Sequence, residues 1–206
     1  FVAFRLPNTF RRLFAEGTFN AAFIPSYAGT LAKNKDEANN FAKNIFNLLF
    51  IVLLFLVFLA EIFMPKLIFL IAPGFSNDPE KLKLAIDLSR ITFPFLLFVC
   101  LASFFAAILN SYNKFAVAAA APIILNIILI GSLLLSKWIN IQDYLLLSYA
   151  VSLAGFLQLL VLLFFVRKHF TPIISLKIKI DRKVKNFFQK LLPSIFSSGV
   201  TQINIL

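Results

Sequence analysis

The sequence predicts an all-α polytopic membrane protein, and three observations carry that prediction. Of its 206 residues, 60% are hydrophobic, against about 45–50% in soluble domains, and the mean hydropathy is +0.89. Charge-free apolar runs recur along the chain, with short polar turns between them. The surplus of base, 20 Lys and Arg against 9 Asp and Glu, is concentrated in certain turns, as it is in the cytoplasmic loops of membrane proteins. The net charge of +11 therefore points to a membrane topology, and no nucleic-acid partner is expected. Cys100 and His169 are the sole residues of their types. They make no intrachain disulfide and no typical zinc or haem site, so no metal and no cofactor is expected.

The elements follow in order. Residues 1 to about 31 are apolar but carry Arg5, Arg11, Arg12 and Glu16. Residues 32–40, AKNKDEANN, read as a solvated turn. A helix is predicted from Phe41 to Ala60; it opens with Lys43, Asn44 and Asn47 and is then charge-free up to Glu61, a charge-free run of about 17 residues, at the short end for a span. Pro65 and Pro73-Gly74 then punctuate a piece, Leu67–Ala72, too short to cross, which reads as interfacial or as a helix extension. Ser76–Lys83 reads as a polar loop, with Asp78 placed to cap the next helix and Pro79 at its first position. Ile91 to Asn113 is long enough to span. Pro94 predicts a kink in it, and Ala102, Ser103, Ala106 and Ala107 give it a small-residue face for close packing. Asn110–Lys114 is a tight polar turn. Phe115–Ser136 is a span containing Pro122 and Asn126. Lys137–Asp143 is a short loop flanked by the interfacial aromatics Trp138 and Tyr144, and Tyr144–Val166 is a span carrying Gly155 and Gln158.

From Arg167 to Lys190 the chain holds eight Lys or Arg and one Asp. Phe187, Phe188, Leu191 and Leu192 recur there at helical spacing, which predicts an amphipathic helix near 177–192 in the membrane interface, a partner for anionic lipids. Pro193 begins a further apolar helix. The basic loop after Val166 is placed in the cytoplasm. Counting back puts 137–143 outside, 110–114 inside, 64–83 outside and 32–40 inside. The chain starts at Phe1 and stops at VTQINIL, inside an apolar segment; a piece of a longer chain is expected.

The chemistry lies in Phe4–Pro25, FRLPNTFRRLFAEGTFNAAFIP. On a continuous helix Arg5, Asn8, Arg12, Glu16 and Asn20 form one polar stripe, with Arg11 about 100° round from Arg12 and Leu6, Phe10, Leu13 and Phe14 opposite. Pro7 is expected to kink it. An arginine inside a bilayer helix costs about 2.5–3.5 kcal/mol on insertion scales, so several are tolerated only where they meet water, a partner or a ligand. The same spacing also suits a helix end at the interface, with Arg12 and Glu16 an exposed pair. Asn47, Ser103, Asn126 and Gln158 read as interhelical hydrogen-bond partners, and Cys100 as a small core residue. No nucleophile–base pair, glycine-rich nucleotide loop or metal cluster stands out.

These blocks, RRLFAEG followed by AFIP, then APGF, then ITFPFLLFVCLASFFAAILNSYNKF and APIILN, resemble the MurJ/MviN family of lipid II flippases. That family belongs to the multidrug/oligosaccharidyl-lipid/polysaccharide exporter superfamily. The resemblance covers essentially the whole chain and keeps the motif order. It implies a fragment of a fourteen-helix, two-lobe alternating-access flippase, running in the N-terminal lobe from the second helix to the start of the seventh. It implies that Arg11 belongs to a cationic cavity for the pyrophosphate of lipid II, with Arg12 and Arg5 beside it, and that Glu16 belongs to a cytoplasmic gate. It further implies transport and no enzymatic activity, and residence in the bacterial cytoplasmic membrane. VAAAAP stands where the family often carries an extra proline, and a small change of helix geometry is expected there. The coupling ion is not legible.

The rival readings are a drug or metabolite antiporter, or a polysaccharide-lipid exporter, of the same superfamily. An antiporter's cavity favours acidic residues, and the Arg11-Arg12 pair speaks against it. An enzyme acting on lipid-linked substrates would need a cluster such as Asp78, Glu80 and Asp87, which reads as a solvated loop and helix start. A structural scaffold has no use for a polar stripe.

Overall fold

A computed structural model of the chain describes residues 2–14, 18–139, 142–175 and 180–203. Among them the chain forms helices α1 (Val2–Phe14), α2 (Thr18–Leu31), α3 (Lys35–Ile71), α4 (Pro79–Thr92), α5 (Phe95–Ser111), α6 (Phe115–Ser136), α7 (Asp143–Val166) and α8 (Arg182–Ile203), with a 3-10 turn at Pro73–Asn77. Four helical stretches are long and apolar enough to cross a bilayer: α3, the α4–α5 pair, α6 and α7. This is a multi-pass helical membrane protein, as the composition predicts.

Local chemistry explains most of the boundaries, including two that depart from the sequence reading. α3 begins inside the segment expected to be a turn, because the Asn34 side chain accepts hydrogen bonds from Asp36 N and Glu37 N at 2.8 and 3.1 Å and caps a helix there. α3 then continues through Pro65 to Ile71, 37 residues in all. At 1.5 Å per residue that is about 55 Å, longer than the roughly 30 Å hydrocarbon core, so Leu67–Ile71 extends the helix. α4 opens as expected, with Pro79 at its first position and the Asp78 carboxylate accepting from Lys81 N.

At Pro94 the helix is interrupted between α4 and α5, with Phe93 and Pro94 still in the helical region, as expected of a kink. Proline has no N–H to continue the ladder, and side-chain bonds tie the region of the break to its neighbours. Ser152 Oγ of α7 donates to the Ile91 carbonyl, and Thr92 Oγ1 donates to the Ala3 carbonyl of α1 at 2.8 Å. The turn into α6 closes with Asn113 at φ 59°, the left-handed region that asparagine tolerates better than most residues.

The core is aromatic. Phe23 is fully buried and stacks on Tyr27 and Phe41, with ring centroids 5.4 and 5.9 Å apart. Phe104 of α5 meets Phe19, Phe23, Phe46 and Phe170. In the described part of residues 177–192 the helix begins at Arg182 and runs on through Pro193 as α8, without a break before the apolar helix expected from Pro193. Val184, Phe187 and Leu191 are buried in the same core, where Phe187 meets Phe19 and Phe41 edge-on. Of the predicted apolar face, Phe187 and Leu191 meet protein, Phe188 is partly buried and Leu192 is exposed. Lys183 and Lys185 stay exposed, and Lys183 pairs with Glu37 of α3.

Candidate functional site

A cavity of about 440 Å³ opens between the N-terminal helices and α5, α6 and α7. Arg11, Asn20, Ser103, Asn110 and Gln158 supply its polar lining. Arg11 comes from α1, where its Nε donates to Asn8 Oδ1 at 3.0 Å. That i,i+3 bond fixes the near end of the guanidinium and gives Asn8, a member of the predicted stripe, a definite task. Ser103 and Asn110 come from α5 and Gln158 from α7.

α5 makes the room. Ala102, Ser103 and Ala106 lie along the cavity, while Ala102 is also buried in the core, so the small-residue face both packs and borders the cavity. Ala107, one step round, is fully buried and does pack. The far wall is α6, where Phe115, Ala119 and Pro122 line the cavity and are exposed.

The electrostatics of the lining are one-sided. Among the described residues lining it, Arg11 is charged and none bears a carboxylate. Among the described residues, Asn20 Oδ1 and Asn110 Oδ1 are shielded from solvent without a hydrogen-bond partner. An unmade bond on a buried carbonyl costs about 1–3 kcal/mol, which a hydroxyl or amide of a ligand would recover. The lining thus pairs a cationic donor with polar groups able to read uncharged hydroxyl- and amide-bearing chemistry.

The predicted site residues separate. Arg11 lines the cavity. Arg5 is exposed and not among the lining residues. Glu16 and the side chain of Arg12 lie outside the described residues. Asn20 was visible as part of the stripe. Ser103 and Gln158 were read as interhelical partners, and Asn110 as a turn residue. Their common signal, polar groups one or two turns apart beside small residues, is the same for a cavity wall and for a packed interface. Asn47 does play the structural part, its Oδ1 accepting from Ser175 N at 3.0 Å. Asn126 is exposed on α6 and Cys100 is buried. Asp78, Glu80 and Asp87 form no site: Asp78 caps α4 and pairs with Lys81, and the other two are exposed.

Membrane-crossing helices around a cationic polar cavity define the class: a polytopic helical membrane protein with a polar cavity among its helices. Comparison with known proteins gives the family. The family model described as "Lipid II flippase MurJ" matches residues 1–206, and the chain belongs to that family. It is 40% identical over 208 residues to a probable lipid II flippase MurJ of Rickettsia prowazekii (strain Madrid E), covering 99% of this chain and 40% of the relative. It is 41% identical over 210 residues to the probable lipid II flippase MurJ of Rhizobium meliloti (strain 1021), covering 99% of this chain and 39% of the relative. Among solved structures it is similar to a lipid II flippase MurJ in an inward closed conformation, with TM-score 0.78, 28% identity, and coverage of 100% of this chain and 41% of the other. The chain thus spans about two-fifths of the length of the curated relatives it matches.

Proposed function

We propose that this chain is part of the N-terminal lobe of a flippase, from its second helix to the start of its seventh. The whole protein would carry lipid II from the inner to the outer face of the bacterial cytoplasmic membrane. The observation that carries the proposal is Arg11, held by Asn8 at the wall of a cavity with no described carboxylate, in a chain of this family. A lipid-linked pyrophosphate is a dianion whose passage through hydrocarbon is opposed by lost solvation. A guanidinium replaces water with bidentate, charge-assisted bonds. Asn20, Asn110 and Gln158 suit the hydroxyls and amides of a sugar-peptide headgroup. Alternating access would expose the cavity to each side in turn. Arg12 and Arg5 are proposed to add to the cationic surface near the entrance and Glu16 to gate it. No step needs covalent catalysis, so the protein is proposed to be a transporter and not an enzyme.

The proposed orientation puts the end carrying Lys35, Lys114, Lys168 and Lys183 in the cytoplasm, with the first turns of α8 near the inner membrane surface, where their exposed lysines favour anionic lipid. In a Cys100→Ala background, Lys137→Cys should react with an impermeant thiol reagent added outside cells and Lys33→Cys should not; the reverse would overturn the orientation.

The functional test is complementation of a depleted strain by the full-length protein, with protein level and outward exposure of lipid II followed together. Arg11→Ala should abolish flipping while the protein still accumulates. Loss of a charged hydrogen bond costs about 1.5–3 kcal/mol, roughly tenfold to over a hundredfold in binding. Arg11→Lys should also fail substantially, since it keeps the charge and loses the fork. Normal growth and lipid II exposure with Arg11→Ala would refute the anion-site role.

A further inference from the structure

A second pocket, about 430 Å³, lies at the lysine-rich end, where α6 begins and α7 ends. It is lined by Leu109, Lys114, Val117, Phe165, Lys168 and His169. Its chemistry is divided. Lys114 and Lys168 are exposed at its rim beside His169, whose ring stacks on Tyr112 with centroids 4.0 Å apart. Leu109, Val117 and Phe165 make an apolar floor, and Phe165 is exposed. No described lining residue carries a carboxylate.

The pocket is separate from the central cavity. The two are lined by different residues: on α6 the cavity takes Phe115, Ala118, Ala119, Ala121 and Pro122 and this pocket takes Val117. The second pocket sits where the apolar stretches of α6 and α7 give way to charge, at the level of lipid headgroups. Exposed cations over an apolar floor that is open at Phe165 match one kind of molecule at that depth: a phosphate with a hydrocarbon tail attached.

We propose that this pocket is a binding site for an anionic glycerophospholipid of the adjacent leaflet. Lys114 and Lys168 hold the headgroup phosphate, and an acyl chain lies along Val117 and Phe165. The site does not depend on the central cavity being a lipid II site, because it shares no lining residue with it.

The test uses the intact protein purified in mild detergent and native mass spectrometry to count bound lipid. The probes are short-chain phosphatidylglycerol, phosphatidylcholine with the same chains, and glycerol 3-phosphate. Phosphatidylglycerol should bind at least tenfold better than either of the others, one lacking the net charge and the other the tail. The double variant Lys114→Ala/Lys168→Ala should weaken phosphatidylglycerol binding about thirtyfold, at about fivefold per lysine. Val117→Trp should weaken it with all charges kept, and Lys137→Ala, at the far end of α6, should leave it unchanged. Equal binding of the two phospholipids, or binding unaffected by the double variant, overturns the proposal. Glycerol 3-phosphate binding as well as the lipid would make this a free-phosphate site. Preference for a polyprenyl pyrophosphate, lost in the same double variant, would assign the pocket to the transported lipid instead. Either result overturns it.

Discussion

The stretch Pro79–Ser111 and the helix α6 have the same peak hydropathy, 2.4, yet 61% of the first one's most apolar window is buried within the protein and only 6% of the second one's. Hydropathy reports that a segment avoids water. It does not report whether its surroundings are protein or lipid, since hydrocarbon tails are as apolar as leucine. What separates the two is composition within the apolar class. α5 carries Phe95, Phe104 and Phe105 alternating with Ala102, Ala106 and Ala107, large and small residues that interdigitate with neighbours. α6 beyond Pro122 is mostly Ile and Leu, and Ile123, Ile127, Ile130 and Leu134 are more than half exposed.

The comparison breaks most visibly at Phe104, which is fully buried among rings of α2, α3 and the segment after α7. Phe104→Ala should destabilise the protein by about 3 kcal/mol, through the cavity and lost contacts. Ile127→Ala on α6, where Ile127 is 64% exposed, should cost under about 0.5 kcal/mol. Both are read from unfolding in mixed micelles. Similar losses at the two sites would mean that α6 has a packing partner comparable to that of α5.

Two glycines make the next contrast. A Cβ on Gly155 of α7 would lie 2.6 Å from Phe95 Cδ2 and 3.3 Å from Phe98 Cβ, whereas one on Gly131 of α6 would meet nothing within 4 Å. Gly155→Ala should therefore cost about 1–3 kcal/mol by forcing α5 and α7 apart. Gly131→Ala should be neutral or stabilising by up to about 1 kcal/mol, through helix propensity. A neutral Gly155→Ala would show that the Phe95 ring moves aside without loss.

The same limit explains what was legible beforehand. Polar punctuation gave α6 and α7 nearly to the residue, and it gave the Pro79 start of α4, because capping and charge are local. Two errors came from local signals weaker than their surroundings. AKNKDEANN is polar enough for a loop, yet Asn34 caps a helix within it. Pro193 is a helix breaker that α8 accommodates, whereas at Pro65 the helix extension, one of the two readings, is what forms. The amphipathic stripe of residues 184–192 was correctly seen as apolar on one side, but pattern alone does not say what covers an apolar stripe, and here Phe19, Phe23 and Phe41 cover Phe187. For the candidate site, Arg11 stood out by the rarity of charge in an apolar segment. Gln158 and Ser103 did not, because an isolated polar residue in a span looks the same whether it faces a cavity or a neighbouring helix.

The smallest effect sought is at His169, where α5, α6 and α7 come together at the lysine-rich end. It is the only histidine in the chain, so its titration is readable by NMR without assignment. Burial holds its pKa below the usual 6.5, and the fields of Lys114, Lys35 and Lys168 push in the same direction. The folded state therefore favours the neutral ring. The sign follows by linkage: above pH 6.5 neither state carries the proton and nothing is lost, whereas below it the unfolded chain takes up the proton first. Stability falls as the pH drops toward the folded-state pKa and levels off beneath it. The ring is only half-buried, so the loss should be slight beside that of Phe104→Ala. Lys168→Ala should move the pKa upward without restoring the ordinary value, because burial is the larger cause. A bound phospholipid phosphate over Lys114 and Lys168 should move it upward as well. A His169 pKa at or above 6.5 in lipid-free detergent would contradict the packing against Tyr112 and the gathering of lysines around it.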